Sequence, residues 1–139
     1  MKIVVLDAAT LGADVDLSPL MAEGEVTVYD NTAPECIGAR IADTDVIVSN
    51  KVKLTEAVLK DAKNLKLICL AATGYDCVDI GYCAANGIGV CNVPGYSTQS
   101  VAQLTVAMVL VVGIVNIANW ISVRGELYNT LSLLVLPDT

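Results

Sequence analysis

DVIVSNKVKLTEAVLKDAKNLKLICLAATGYD, Asp45–Asp76, is the stretch whose reading decides the fold. It opens on a short β-branched run, Asp45–Ser49, and passes through a polar loop, Ser49–Lys53. It then presents Thr55 as a cap before the helical spacing of EAVLKDAKN, and re-enters an apolar run at Lys66–Ala71. Two apolar runs joined by a helix-length crossover are expected to lie parallel, because a parallel pair needs a connection of this size. Near-continuous hydrophobic runs are also what strands covered on both faces look like.

Working outward, the same strand signature recurs at Lys2–Asp7 (KIVVLD), Glu25–Tyr29 and Ile88–Cys91, with helix-like spacing between. Pro34 suits the first turn of PECIGARIAD. Asp79 caps IGYCAAN, and Gly87 ends it. Five strands alternating with helices predict an α/β fold with a five-stranded, parallel, doubly wound sheet of flavodoxin-like or Rossmann-like type. Ligands of such sheets bind at the strand C-termini.

The 139 residues fit one domain with a real core. With 55% hydrophobic residues, 17% charged and no Phe, that core must be built from Val, Ile, Leu and Ala. A net charge of −7, with no basic cluster, argues against a nucleic-acid partner. The absence of histidine excludes imidazole chemistry within these residues. Five cysteines, Cys36, Cys69, Cys77, Cys83 and Cys91, form no CxxC pair and are read as reduced core residues of a cytoplasmic protein. The start lacks a signal-peptide pattern.

From Ser100 the pattern changes. Val101–Val123 carries no charge and is long enough for either a buried helix or a membrane span. Gln103, Thr105, Asn116 and Asn119 interrupt it, and no Lys or Arg closely precedes it, so a buried or interface helix is expected, with residues 101–122 as a possible homodimer surface and no membrane partner. The run LSLLVL near the end fits an extra strand, a packed tail or a frayed end.

Three loops fall at the expected ligand edge: Asp7–Gly12, Ser49–Lys53 and Ala72–Asp76. Asn50 and Lys51 offer an amide and an ammonium to a small carboxylate, or are simply solvated. Gly74 lets an anion approach exposed N–H groups, or serves only the turn. Gly87, Gly89 and Gly95 do not make a GxGxxG fingerprint, so a complete dinucleotide site is not expected. Asp7, Asp30, Asp43, Asp45, Asp76 and Asp79 show no metal-ligand spacing and are read as caps and solvated loop ends.

In order and spacing, ATGYDCVDI followed by NGIGVCNVPGYSTQSVAQLTVAMVL resembles the D-isomer-specific 2-hydroxyacid dehydrogenases, especially the hydroxypyruvate reductase or glycerate dehydrogenase branch. KIVVLD and DVIVSNKVKLTEAVL add first-lobe landmarks, and the likeness is good to about Val111. It implies a flavodoxin-like substrate-side domain over 1–139, with the Rossmann-type NAD(P) domain not included. It implies that Asn50 and Lys51 lie near the substrate, that Thr73 and Gly74 form the turn holding the substrate carboxylate near the nicotinamide, and that Thr73 and Val101 lie on the cofactor side. The family's catalytic Arg, Glu and His have no counterparts here, so no catalytic residue is assigned and the chain alone is expected neither to bind the cofactor nor to turn over substrate. The segment VNIANWISVRGELYNTLS aligns either with the family's linking helix or with its C-terminal helix returning to this lobe.

The leading expectation is therefore an isolated substrate lobe, separated in nature or in the laboratory, that binds a small 2-hydroxy or 2-keto acid at most weakly. One alternative is a hydroxypyruvate or glycerate oxidoreductase completed by a cofactor domain on another chain. The other is a flavodoxin-like module binding FMN or a phosphate.

Overall fold

A computed structural model describes the backbone of residues 1–135 and side chains as far as residue 126. Strands β1 (Lys2–Val5), β2 (Glu25–Val28), β3 (Val46–Ser49), β4 (Leu67–Leu70) and β5 (Gly89–Cys91) form one sheet in the order β2-β1-β3-β4-β5, every pair parallel. This is the expected five-stranded doubly wound α/β sheet, in the flavodoxin-like order, and each strand lies within its predicted run.

Helices α1 (Ser18–Glu23), α2 (Ile37–Ile41), α3 (Glu56–Leu59) and α4 (Ile80–Ala85) fill the crossovers. Pro34 opens a short 3-10 turn, Pro34–Cys36, that leads into α2. The Asp79 carboxylate accepts the Tyr82 N–H at 3.0 Å and caps α4. Gly87 follows that helix at φ +68°, a backbone conformation that costs glycine nothing. Thr55 occupies the capping position of α3 without a side-chain capping bond, so the helix starts there by backbone geometry alone.

Strand alternation sends Val4, Leu6, Ile47, Ile68 and Leu70 into the main core with Ile37, Ile41, Leu59 and Cys83. Fully burying each such aliphatic side chain is worth about 1.5–3 kcal/mol, which is how a core without Phe suffices. On the opposite face, register aligns Val5, Val48, Cys69 and Cys91 in one row. Cover thins along it: Val5 is buried, Val48 and Cys69 are half-buried, and Cys91 is exposed. Of the five cysteines only Cys83 is a core residue, which corrects the expectation for the others. Edge strands cannot be covered as fully as central ones, and β5 is an edge.

Met1–Tyr96 forms one compact unit and a second begins at Ser97. The second unit is α5, a continuous helix Thr98–Val135. The LSLLVL run is therefore helical as far as Val135, and residues 136–139 lie outside the described residues. Thr98–Glu126 is long and apolar enough, by length and composition, to cross a membrane, and it has no covered face within its own unit, where a buried or interface helix is expected from the sequence. The physical reason is its circumference. Val109, Leu110, Val111 and Val112 follow one another and so point to every side, and a helix apolar all round has no single face to lay on a neighbour. Thr105 and Asn116 turn their polar groups onto the carbonyls of Val101 and Val112, each at 2.8 Å.

Charge at the N-terminal edge of the sheet sets a pH dependence. Asp45 is held below the usual carboxylate range by the Lys2 backbone N–H and then by the Lys66 ammonium, and Asp43 by the Lys2 ammonium. A carboxylate depressed on folding adds stability above its unfolded pKa and loses it as pH falls through the folded value. The melting temperature is therefore expected to be insensitive to these groups near neutrality and to fall once pH drops below the reference value of 3.8. An Asp45→Asn variant should show a shallower acid decline by thermal circular dichroism; an unchanged slope would remove Asp45 from the account.

Candidate functional site

The C-terminal ends of β1, β3 and β4 carry the three loops singled out above. Asp7 stands just past β1 and is 4% exposed. Its carboxylate accepts the backbone N–H of Asn50 at 2.9 and 3.1 Å and that of Lys51 at 2.7 Å. The reading of Asp7 as a solvated loop end is thus corrected: a buried carboxylate costs several kcal/mol unless such donors satisfy it, and here it holds the β3–α3 loop. Its sequence signal was its place at the end of KIVVLD, directly after a fully buried run.

That clamp decides what Asn50 and Lys51 can offer. The side-chain amide of Asn50 donates to the carbonyl and hydroxyl oxygens of Thr10 at 3.3 and 3.1 Å, so Asn50 braces the β1 loop. The Lys51 side chain is exposed, and with Val52, Lys53, Thr10, Thr32 and Asp7 it lines an open cleft of about 500 Å³. Arg40 supports another wall of this cleft, donating to Asn31 O at 2.8 Å and Thr32 Oγ1 at 2.6 Å while stacking on the Tyr29 ring.

The turn after β4 is tied on two sides. Ala71 N–H donates to Ser49 O at 2.9 Å, joining it to the end of β3. Thr73 Oγ1 donates to Val93 O at 3.1 Å, Asn92 Nδ2 donates to Thr73 O at 2.8 Å, and Val93 N–H donates to Ala72 O at 3.0 Å. Asn92 was not singled out from sequence, since nothing local marks a residue whose partner lies across the sheet edge. Among the described residues, the N–H groups of Thr73 and Gly74 meet no protein acceptor, and both residues are exposed. Gly74 does not adopt positive φ, and a Cβ there would meet only the Asp76 carboxylate, at 3.0 Å, so its value at this turn is bulk rather than backbone freedom.

The structure thus brings Asn50, Lys51, Thr73 and Gly74 to one edge of the sheet, on neighbouring strands. The cleft lined by Lys51 takes none of its wall from Thr73 or Gly74. Val101 belongs to the helical unit, in the early turns of α5, and its side chain is 59% exposed.

Comparison with known proteins identifies the family. Residues 3–132 match the family model described as D-isomer specific 2-hydroxyacid dehydrogenase, catalytic domain. The chain belongs to that family. It is 40% identical over 114 residues to a hydroxypyruvate reductase of Blautia hydrogenotrophica, an alignment covering 79% of this chain and 35% of the relative. It is 35% identical over 108 residues to a glycerate dehydrogenase of Methylorubrum extorquens, covering 77% and 34%. Among solved structures, NAD+-bound 3-phosphoglycerate dehydrogenase of Entamoeba histolytica superposes with a TM-score of 0.63 at 29% identity, covering 78% of this chain and 38% of that one. D-lactate dehydrogenase of Aquifex aeolicus shares the fold at a TM-score of 0.66 and 22% identity, covering 100% and 39%. The chain spans about a third of the length of the curated relatives it matches.

Family membership brings a nicotinamide dinucleotide into question, and the residues at the switch point of this sheet do not fit its pyrophosphate. In this strand order the switch point lies between β1 and β3, where a doubly wound sheet sets a ligand phosphate. Here the amides at that point, Asn50 and Lys51, already donate to Asp7, whose negative charge would oppose a pyrophosphate. The same clamp counts against the FMN or phosphate module.

Replacing Asp7 with Ala would leave two loop amides without their acceptor. It is expected to cost about 2–3 kcal/mol, the scale of hydrogen bonds to a charged group. The check is a lowered urea midpoint at unchanged slope; a loss below about 0.5 kcal/mol would show that the loop holds itself.

Proposed function

We propose that Met1–Tyr96 is the substrate-side lobe of a D-2-hydroxyacid dehydrogenase, and that it receives the carboxylate of a small 2-hydroxy or 2-keto acid at the turn after β4. The observation that carries this reading is the pair of exposed N–H groups at Thr73 and Gly74, left without protein acceptors on a turn that is otherwise tied on both sides. Two N–H donors on a held turn suit a carboxylate's two oxygens. Lys51 supplies a positive charge at the neighbouring strand end, and Asn50 acts through its brace on Thr10. Hydroxypyruvate or glycerate is the favoured ligand, in keeping with the names of the relatives at 40% and 35% identity.

In this reading the lobe binds and orients, while proton transfer and the nicotinamide belong to a cofactor domain on residues other than these. Thr73 and Val101 lie on the side that domain approaches, NAD(P) being the family's cofactor. The setting is the cytoplasm, with no nucleic-acid partner.

Calorimetry with hydroxypyruvate and with NADH, alongside a turnover assay, tests this. Weak carboxylate binding that moves the Thr73 and Gly74 amide resonances is expected, with no NADH binding and no turnover. Saturable NADH binding with activity would overturn the assignment. Restored NADH-dependent reduction on mixing with a separate cofactor domain would support the two-chain version, and its absence would remove it.

For α5 we propose pairing with a second copy through residues 101–122 in preference to a bilayer. Gln103 and Asn119 remain polar interruptions of a helix that is otherwise apolar on all sides. Light scattering of the purified chain should give twice the 14.5 kDa chain mass. A strict monomer would remove the dimer, and flotation with neutral lipid vesicles would identify α5 as a membrane segment.

A further inference from the structure

On the thinly covered face of the sheet, Cys69 and Cys91 are register partners on the adjacent strands β4 and β5. Their sulfurs are 3.4 Å apart, in hydrogen-bond contact. Neighbouring strands lie about 4.8 Å apart, inside the Cα separation of roughly 4.4–6.8 Å that a disulfide spans. Bond formation therefore requires small side-chain rotations and no displacement of the strands. The two thiols are also unequal. Cys91 is exposed, whereas Cys69 is half-buried, and that burial, with the Cys91 contact, pushes its thiol up to about 12.

From this geometry we infer that Cys69 and Cys91 are a thiol–disulfide modification site, closed by a small disulfide oxidant of the glutathione class. Cys91 loses its proton to solvent, and its thiolate attacks one sulfur of the small disulfide, breaking that bond and releasing one small thiolate. Cys69 then gives up its proton and attacks Cys91 in the mixed disulfide, forming the Cys69–Cys91 bond and expelling the second small thiolate. Two cysteine thiols are oxidised and one small disulfide is reduced to two thiols, so electrons and atoms balance. Exposure makes Cys91 the entry point, and Cys69, its register partner 3.4 Å away, is the resolving partner. The bridge would tie β4 to β5 directly before the turn at Thr73 and the segment Asn92–Val93 that braces it. The site does not depend on the substrate-lobe reading, since it uses only the sheet register and the two sulfurs.

The test is to incubate the folded chain with oxidised glutathione, quench in acid, and count and map thiols by alkylation and peptide mass. Free thiols are expected to fall from five to three, with one intrachain Cys69–Cys91 peptide that dithiothreitol reverses. Cys69→Ser should stop at a glutathione adduct on Cys91, and Cys91→Ser should leave Cys69 unmodified. Two free thiols at these positions after oxidation, links to Cys36 or Cys77 instead, or bridges only between chains would each overturn the proposal. The mapping on the unaltered chain decides the matter even if a variant fails to fold.

Discussion

The structure of the ligand edge depends on one buried carboxylate. Asp7 lies at the end of the interior strand β1 and draws the first two amides of the β3–α3 loop onto itself. An unpaired charge could not persist there, so loop and strand end are mutually required. Once Asn50 and Lys51 are fixed by their backbone, the Asn50 side chain reaches Thr10 and the Lys51 side chain lines the cleft. The same contact occupies the position a nucleotide phosphate would need. With the same strand order, other groups at this point would make a different site, which is why function has to be argued from the site and not from the fold.

A second consequence is a division of labour between neighbouring strand ends. The β3 loop spends its first two N–H groups internally, while the β4 turn is anchored through Ala71, Ala72 and the Thr73 side chain and leaves its Thr73 and Gly74 N–H groups without an acceptor among the described residues. Donors held in place before a ligand arrives bind without a further ordering cost. The turn's brace comes from the segment after β5, so the geometry of the β4 turn is tied to an edge of the sheet. That edge is where the two thiols meet.

The helical unit follows a different logic. Its apolar residues are spread around the whole helix, so no single apolar face distinguishes one side from another. Two of its polar side chains are satisfied by their own helix, which removes them as evidence against an apolar setting and leaves Gln103 and Asn119 as the polar interruptions.

Read alone, the sequence determined the strands, the α/β class, the Asp79 cap, the Gly87 stop and the absence of a glycine-rich phosphate turn. Each of these depends on residues a few positions apart, where side-chain period and backbone preference act directly. The family motif also placed Asn50, Lys51, Thr73 and Gly74 at the ligand edge. What the tertiary structure alone decided is which groups are spent and which are free. Asp7 reaches Lys51 across 44 residues, Thr73 reaches Val93 across 20, and Cys91 reaches Cys69 across 22. Such pairings follow from sheet order and register, which no local pattern records, and so the clamp, the free pair of amides and the paired thiols emerged only when the strands were set side by side.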